Sequence, residues 1–418
     1  MSDKLNIDCC SQPSGLLSVE AARQRILEPI NPVTENETLE LRHALGRTLA
    51  EAVTSSLDVP SYKNSAMDGY ALHSRDLPNS GSANLQLIGT SLAGHPYDGS
   101  IEPGSAIRIM TGAAVPDDYD TVIMQEQVER SDEIITISSD HCAGENVRYP
   151  GEDIKSGDIA GDIGLTIRPA ELGLLASLGI SDVSVKRRPK VVFFSTGDEL
   201  REAGDKLEAG QIYDSNRYTL YGMLNKLDVE MEDLGIIPDQ PEAIERAFRE
   251  AGERADIVIT SGGVSVGDAD YVKQTLEQFG SIDFWKIAMK PGKPLAFGAL
   301  GKSVFFGLPG NPVSTMATFY QFVIPAIRKL KGETAEKIWT LKVPCHSKLN
   351  KRPGRTDFQR GVLQSSADGS LSVHTTGLQG SHVLSSMSKA NCFIVLPAES
   401  GNIEAGSMVE VQPFESML

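Results

Sequence analysis

The chain has 418 residues, with 39 Lys and Arg against 56 Asp and Glu, a formal charge of −17 and five cysteines. So acidic a chain lacks the clustered cations that nucleic acid or an anionic membrane requires, and no apolar run approaches the ~20 residues that span a bilayer. The opening MSDKLNIDCC lacks the basic and apolar regions of a signal peptide, and Cys9, Cys10, Cys142, Cys345 and Cys392 are too scattered for a disulfide framework or zinc site, so a cytosolic protein with free thiols is expected.

The length predicts roughly three or four domains. In chain order, Val19, Ala22, Ile26, Leu27 and Ile30 fall on one face of a helix predicted from Ser18 to Ile30, with Ser18 as N-cap and Glu20 in the first turn. A shorter helix is predicted from Leu39 to Leu45, stopped by Gly46. Short alternating runs between about residues 85 and 139 (LQLIGT, AIRIMTG, TVIMQEQV, EIITIS) predict a small separate β domain. A helical run from Ala170 to Leu178 ends at Gly179. From Val191 to about Gly332 the strand runs VVFFST, VEMEDLGII, ADIVIT, FWKIAM and SVFFGLP alternate with helical patterns at residues 216–227, 241–254, 270–279 and 311–330. That alternation predicts a mostly parallel sheet wrapped by helices, with ligands bound beyond the strands' carboxyl ends. The turn-rich remainder, 333–418, reads as a compact β domain, so the fold class is α/β plus β.

Each candidate loop of the α/β region follows a strand, so all of them are expected at one edge of the sheet. After ADIVIT come Ser261, Gly262, Gly263, Val264, Ser265, Val266, Gly267, Asp268, Ala269 and Asp270. Glycines let backbone N–H groups approach an anion, and a helix start leaves its first N–H groups unpaired. Asp268 and Asp270 would repel a bare phosphate, so they either cap the helix or hold a divalent cation that bridges protein and phosphate. Asp198 and Glu199 follow VVFFST, and Asp239 follows VEMEDLGII. After a short strand at Gly210 to Tyr213 come Asp214, Ser215 and Asn216, which can cap the next helix. Pro309, Gly310, Asn311, Pro312, Val313 and Ser314 form another strand-to-helix turn. Lys290 and Lys293 stand in a proline-stiffened turn, with Lys286 one strand-face earlier, and these lysines are either solvated surface or an anion site.

Two other motifs compete. Gly301, Lys302 and Ser303 resemble the end of a Walker A loop, yet a strand follows them and a hairpin turn is expected. The run from Gly263 to Gly267 satisfies the GxSxG pattern of serine hydrolases, with His346, His374 and His382 downstream, although the turn is long and acidic for a nucleophile elbow.

The runs NSAMDGY (from Asn64), RIMTGA (from Arg108), VIMQEQ (from Val122), RYPGED (from Arg148), STGDEL (from Ser195), GQIYDSN (from Gly210), SGGVSVGDADY, KPGKP and GLPGNPVS carry a further signal. Through them the chain, from about Ser14 onward, resembles the MoeA-type molybdopterin molybdenumtransferases, a family that includes the C-terminal part of gephyrin. The resemblance implies an elongated homodimer whose subunit has four parts. These are a discontinuous N-terminal dimerisation region (14–58 and 143–186), an inserted β domain (59–142), a molybdopterin-binding α/β domain (187–332) and a C-terminal β-barrel-like domain (333–418). It also implies insertion of molybdenum from molybdate into adenylylated molybdopterin, with Mg²⁺ and release of AMP.

Carried over by position, the resemblance gives catalytic weight to Asp68, Thr111, Asp153, Glu199, Asp239, Asp270, Lys286 and Lys290. It places cofactor contacts at Ser261, Gly262, Gly263, Ser265, Gly267, Pro309, Gly310, Asn311 and Pro312, and molybdate contacts at Lys290, Lys293, Ser314, Arg355 and Ser381. Metal ligation falls to Glu199, Asp239, Asp268 and Asp270. A molybdopterin adenylyltransferase and recipient molybdoenzymes are the partners it implies. The competing expectations are an ATP-using molybdopterin adenylyltransferase, a serine hydrolase at Ser265 and a dimeric scaffold.

Overall fold

A computed structural model describes residues 15–262, 280–334 and 338–417. The chain divides into two compact units, Met1–Glu37 with Gly46–Ala50 and Val185–Leu418, and Thr38–Leu45 with Glu51–Ser184.

In the first unit, α1 (Val19–Leu27) starts where Ser18 Oγ accepts a hydrogen bond from the Ala21 N–H at 3.1 Å, and it buries Val19, Ala22 and Ile26. Further along come β1 (Lys190–Thr196), α2 (Ser215–Asn225), β2 (Glu230–Ile237), α3 (Pro241–Arg254), β3 (Ile257–Ser261), β4 (Gly280–Lys286), β5 (Met289–Lys290), β6 (Pro294–Leu300), β7 (Ser303–Leu308) and α4 (Pro312–Thr318). A π turn, Phe319–Val323, continues α4 into Ile324–Leu330.

Six strands form one sheet in the order β2-β1-β3-β7-β6-β4. The first four run parallel; β6 reverses and β4 reverses again, which brings the carboxyl end of β4 to the same rim as theirs. Every residue of β3 and β7 is buried, as is all of β1 after Lys190. Continuous apolar runs are what a sheet covered on both faces requires. On one face, Ile244, Ala247, Phe248 and Ala251 of α3 pack with Val192, Phe194, Val258 and Phe305, the Phe248 ring edge-on to Phe194 and Phe305. On the other, Phe193, Ile257 and Phe306 join α1, α2 and the 312–330 helical stretch in a larger core.

A second sheet uses β8 (Leu341–Pro344), β9 (Thr356–Ser365), β10 (Leu371–Thr375), β11 (Cys392–Leu396) and β12 (Met408–Pro413), in the order β5-β9-β11-β12-β8 with β10 on β9. Membership of β5 in this sheet sets Lys290 opposite Asp357.

Several local expectations change. The predicted FWKIAM strand breaks after Lys286, because Met289 and Lys290 pair with Thr356 and Asp357 instead. PLAFGAL, outside every predicted strand, forms β6 because β4 and β7 pair with both of its edges. Gly301, at φ +62°, and Lys302 are the hairpin turn between β6 and β7, so the Walker-like run is a turn. The segment predicted as a helix from Leu39 is strand through Glu40 and then a 3-10 turn, Leu41–Ala44. So few residues do not offset the cost of nucleating an α-helix. The helix expected at 270–279 lies outside the described residues.

The second unit holds a sheet of Gly69–Leu72, Ser82–Ser91, Ser105–Ile109, Thr121–Met124, Glu129–Ser131 and Ile134–Ser138. Gly69–Leu72 lies between Ser105–Ile109 and Thr121–Met124, and Tyr70, Leu85, Ile135 and Ile137 form part of its core. Among the described residues no helix is long and apolar enough to cross a membrane.

Candidate active-site cleft

The strand-end rim of the first unit opens into a cleft of about 540 Å³. Thr196, Gly197 and Glu199 enter it after β1, Asp239 after β2 and Gly262 after β3. Lys290 through Pro294 line it between β4 and β6, and Pro309, Gly310, Asn311 and Ser314 line it after β7. Arg355, just before β9, and the segment Gln379 to Ser381, in the loop after β10, come from the region of the second sheet. The five residues assigned to molybdate, Lys290, Lys293, Ser314, Arg355 and Ser381, therefore share one cleft with Glu199 and Asp239.

The cationic residues are held by both sheets. Lys290 Nζ lies 3.4 Å from Asp357 Oδ2, and Asp357 is buried. The same oxygen accepts a hydrogen bond from Gln359 Nε2 at 3.1 Å, which fixes the carboxylate that steers the lysine. The Val313 N–H donates to Ser381 O at 3.1 Å, tying the Gln379–Ser381 segment to the start of α4. Pro312 occupies the first turn of that helix, where no N–H partner is lost.

At the end of β3, Gly262 has φ +91°, and a Cβ there would lie 2.6 Å from Thr196 O. Replacing Gly262 with alanine therefore combines a clash against backbone with a strained φ. Destabilisation by about 1–3 kcal/mol is expected in denaturant titration, together with reduced turnover. A variant as stable and active as the wild type would show that β1 and β3 do not approach this closely at the cleft.

The acidic residues repel one another. The Asp239 N–H donates to Asp198 Oδ1 at 3.2 Å. Although Asp239 is exposed as a residue, its carboxyl is pushed above the usual aspartate range, by partial burial first and then by the charges of Asp198 and Glu199. Among the described residues no three His, Cys, Asp or Glu side chains converge as a metal cage. Glu199 and Asp239 do line the cleft, and two carboxylates suit Mg²⁺, which is commonly held by one or two carboxylates together with substrate oxygens and water.

Other expected residues lie elsewhere. Lys286 is exposed at the end of β4, opposite Pro294, and is not part of the described cleft lining. Ser261 and Pro312 are not among the residues that line the cleft. Asp214 is a cap: it accepts hydrogen bonds from the N–H and Nε of Arg217, each at 3.2 Å. Gly263, Ser265, Gly267, Asp268 and Asp270 lie outside the described residues, and the GxSxG run with them.

In the second unit, the exposed Asp68 carboxylate accepts from the Thr111 N–H at 2.7 Å and from Thr111 Oγ1 at 2.8 Å. These bonds, the backbone one first, hold its carboxyl below the usual range. Replacing Thr111 with valine removes the hydroxyl, so the Asp68 titration observed by NMR moves up toward that of a free aspartate; an unmoved titration would assign the shift to the backbone bond alone. Asp153 is exposed, and its N–H donates to Val59 O at 2.9 Å.

Sequence reasoning missed Thr196, Asp357 and Gln379. Asp357 left a signal, standing two residues after Arg355 in GRTDFQRG, but its pairing with Lys290 has no local signature.

Comparison with known proteins follows the chain in order. Family models match for the MoeA N-terminal region (domain I and II) over residues 17–179, a probable molybdopterin binding domain over 193–329 and the MoeA C-terminal region (domain IV) over 342–414. A molybdopterin molybdenumtransferase from Haemophilus influenzae is 48% identical over 410 residues, covering 96% of this chain and 100% of that protein. Another from a Nostoc species is 38% identical, covering 90% of this chain and 88% of its own. The crystal structure of the molybdopterin biosynthesis MoeA protein from Pyrococcus horikoshii matches with a TM-score of 0.83 at 29% identity, over 96% of this chain and 100% of that one.

Proposed function

The chain belongs to the MoeA family of molybdopterin molybdenumtransferases, and from that membership we propose how its cleft serves the reaction. The protein acts in molybdenum cofactor biosynthesis by molybdenum insertion, with molybdopterin and molybdate as substrates. The finer reading is that the pterin arrives as its adenylate, that molybdate delivers the metal and that AMP leaves. One observation supports it above the rest: the cleft that gathers Lys290, Lys293, Arg355, Ser314 and Ser381 also contains Glu199 and Asp239.

Molybdate is a tetrahedral dianion, suited to two ammonium groups, a guanidinium and two serine hydroxyls. The backbone N–H groups of Gly310 and Asn311, in the turn after β7, hold the phosphates of the adenylate together with the glycine turn that opens at Gly262. Glu199 and Asp239, together with Asp270, orient the attacking water and would hold Mg²⁺. Mg²⁺ held there would supply positive charge to offset the negative charge developing on the departing AMP. The same reading includes a cytoplasmic homodimer with the four-part division at 14–58 with 143–186, 59–142, 187–332 and 333–418. It assigns Asp68, Thr111 and Asp153 to the reaction through that assembly, and makes a molybdopterin adenylyltransferase and recipient apoenzymes the neighbours in the sequence of reactions.

Product analysis tests the reading. Given preformed adenylylated molybdopterin and molybdate, the protein releases AMP; given ATP and molybdopterin, it releases no pyrophosphate. Pyrophosphate from ATP, with no AMP from the preformed adenylate, overturns it in favour of adenylyl transfer.

A further inference from the structure

We propose that Asn216 is a positioning residue whose side-chain amide locks the end of β3 to the turn after β7, so that Gly262 and the phosphate-holding turn after β7 share one rim. The inference rests on the reading of the cleft given above and adds a residue to it.

Asn216 lies in the first turn of α2 and is only 8% exposed. Its Nδ2 donates to Ser261 Oγ at 2.7 Å and to Gly310 O at 2.8 Å, which uses both N–H groups of the amide. Ser261 is the last residue of β3, and Gly310 stands in the turn after β7. Besides this bridge, the Gly262 N–H reaches Leu308 O at the longer distance of 3.3 Å. The turns are close enough that a Cβ on Gly310 would come within 3.9 Å of Gly262 Cα.

Capping does not explain the burial, because Asp214 already caps α2 by accepting from the Arg217 N–H. The other polar atom of the amide, Oδ1, is buried and has no partner among the described residues, so the two N–H bonds set the orientation of the amide. Burying an amide is costly unless its hydrogen bonds are made, which argues that the side chain is retained for the bridge. Small misplacement of groups that hold a substrate costs far more activity than stability, and this bridge spans two such groups.

Asn216→Asp keeps the shape, removes both donors and sets a carboxylate against the Gly310 carbonyl; Asn216→Ala removes the bridge without that repulsion. In both, the KM for adenylylated molybdopterin rises about tenfold, the order expected from losing hydrogen bonds of this kind, while the molybdate KM stays within about twofold. Ser261→Ala leaves the bond to Gly310 and gives a smaller rise in the same direction; it decides the matter if the Asn216 variants do not fold. AMP affinity by calorimetry separates this inference from the functional reading. Weaker AMP binding by the variants supports the lock even if the wild type shows no molybdate-dependent turnover. Unchanged AMP affinity and adenylate KM in folded variants overturns it, as does a fall in kcat and melting temperature with both KM values unmoved.

Discussion

Replacing Lys290 with alanine lowers kcat/KM for molybdate by about 100- to 1,000-fold, the range seen when one preorganised charge-stabilising donor is removed from a site. Two losses act in the same direction. The dianion loses an ammonium contact, and Asp357, buried and 3.4 Å from Lys290 Nζ, keeps a carboxylate beside the cleft with that cation gone. The carboxylate then repels the incoming oxyanion. The effect on folding is much smaller: the Lys290 side chain is 46% exposed, so solvent screens the pair, and Asp357 retains its bond to Gln359. Arginine at 290 restores charge but replaces a compact ammonium with a planar fork, so it recovers only part of the activity. Steady-state AMP release at varied molybdate, alongside thermal unfolding, checks each part. A wild-type molybdate KM in Lys290→Ala would remove this lysine from the oxyanion set.

Asp239→Asn separates activity from stability in opposite directions. AMP release falls by about 100-fold or more, because the neutral amide is a poor metal ligand and cannot orient water as a carboxylate does. Stability at neutral pH does not fall with it. The Asp239 carboxyl titrates above its ordinary range in the folded protein, through burial and then the charges of Asp198 and Glu199. Such a group contributes most to folding when it is protonated, at low pH, and that contribution is lost as pH rises through the raised folded value. At neutral pH the ionised carboxylate is therefore a liability that asparagine removes. The variant should melt no lower than the wild type at pH 7 and show a flatter dependence of melting temperature on pH in the acidic range. Added Mg²⁺ should raise the melting temperature of the wild type more than that of the variant. Equal Mg²⁺ stabilisation and normal turnover in both proteins would exclude Asp239 from metal and water handling.

Local chemistry made part of this fold legible. VVFFST, ADIVIT and SVFFGLP read as strands because burial on both faces leaves uninterrupted apolar runs, and the loops that follow them carry the glycines, carboxylates and prolines of the cleft. Ser18 and the Val19, Ala22, Ile26 spacing likewise located α1 from a few residues. What stayed hidden depends on distant partners. PLAFGAL directly follows a proline-rich turn and has no alternation of its own; it becomes β6 through pairing with β4 and β7. Asp357 acquires its place by pairing with Lys290 in a ladder between two sheets, and Gln379 by the segment that the Val313 N–H anchors. Asp214 and Asn216 were both readable as caps. Only their surroundings distinguish them, since Asp214 does cap α2 whereas Asn216 faces Ser261 and Gly310.

Diffraction from crystals soaked in molybdate, recorded at the molybdenum absorption edge, bears most directly on whether these strand-end loops build one oxyanion site. The account predicts a strong anomalous peak in contact with Lys290, Lys293, Arg355 and Ser381. Molybdenum found only on other surfaces, with this cleft empty of it, would contradict the account.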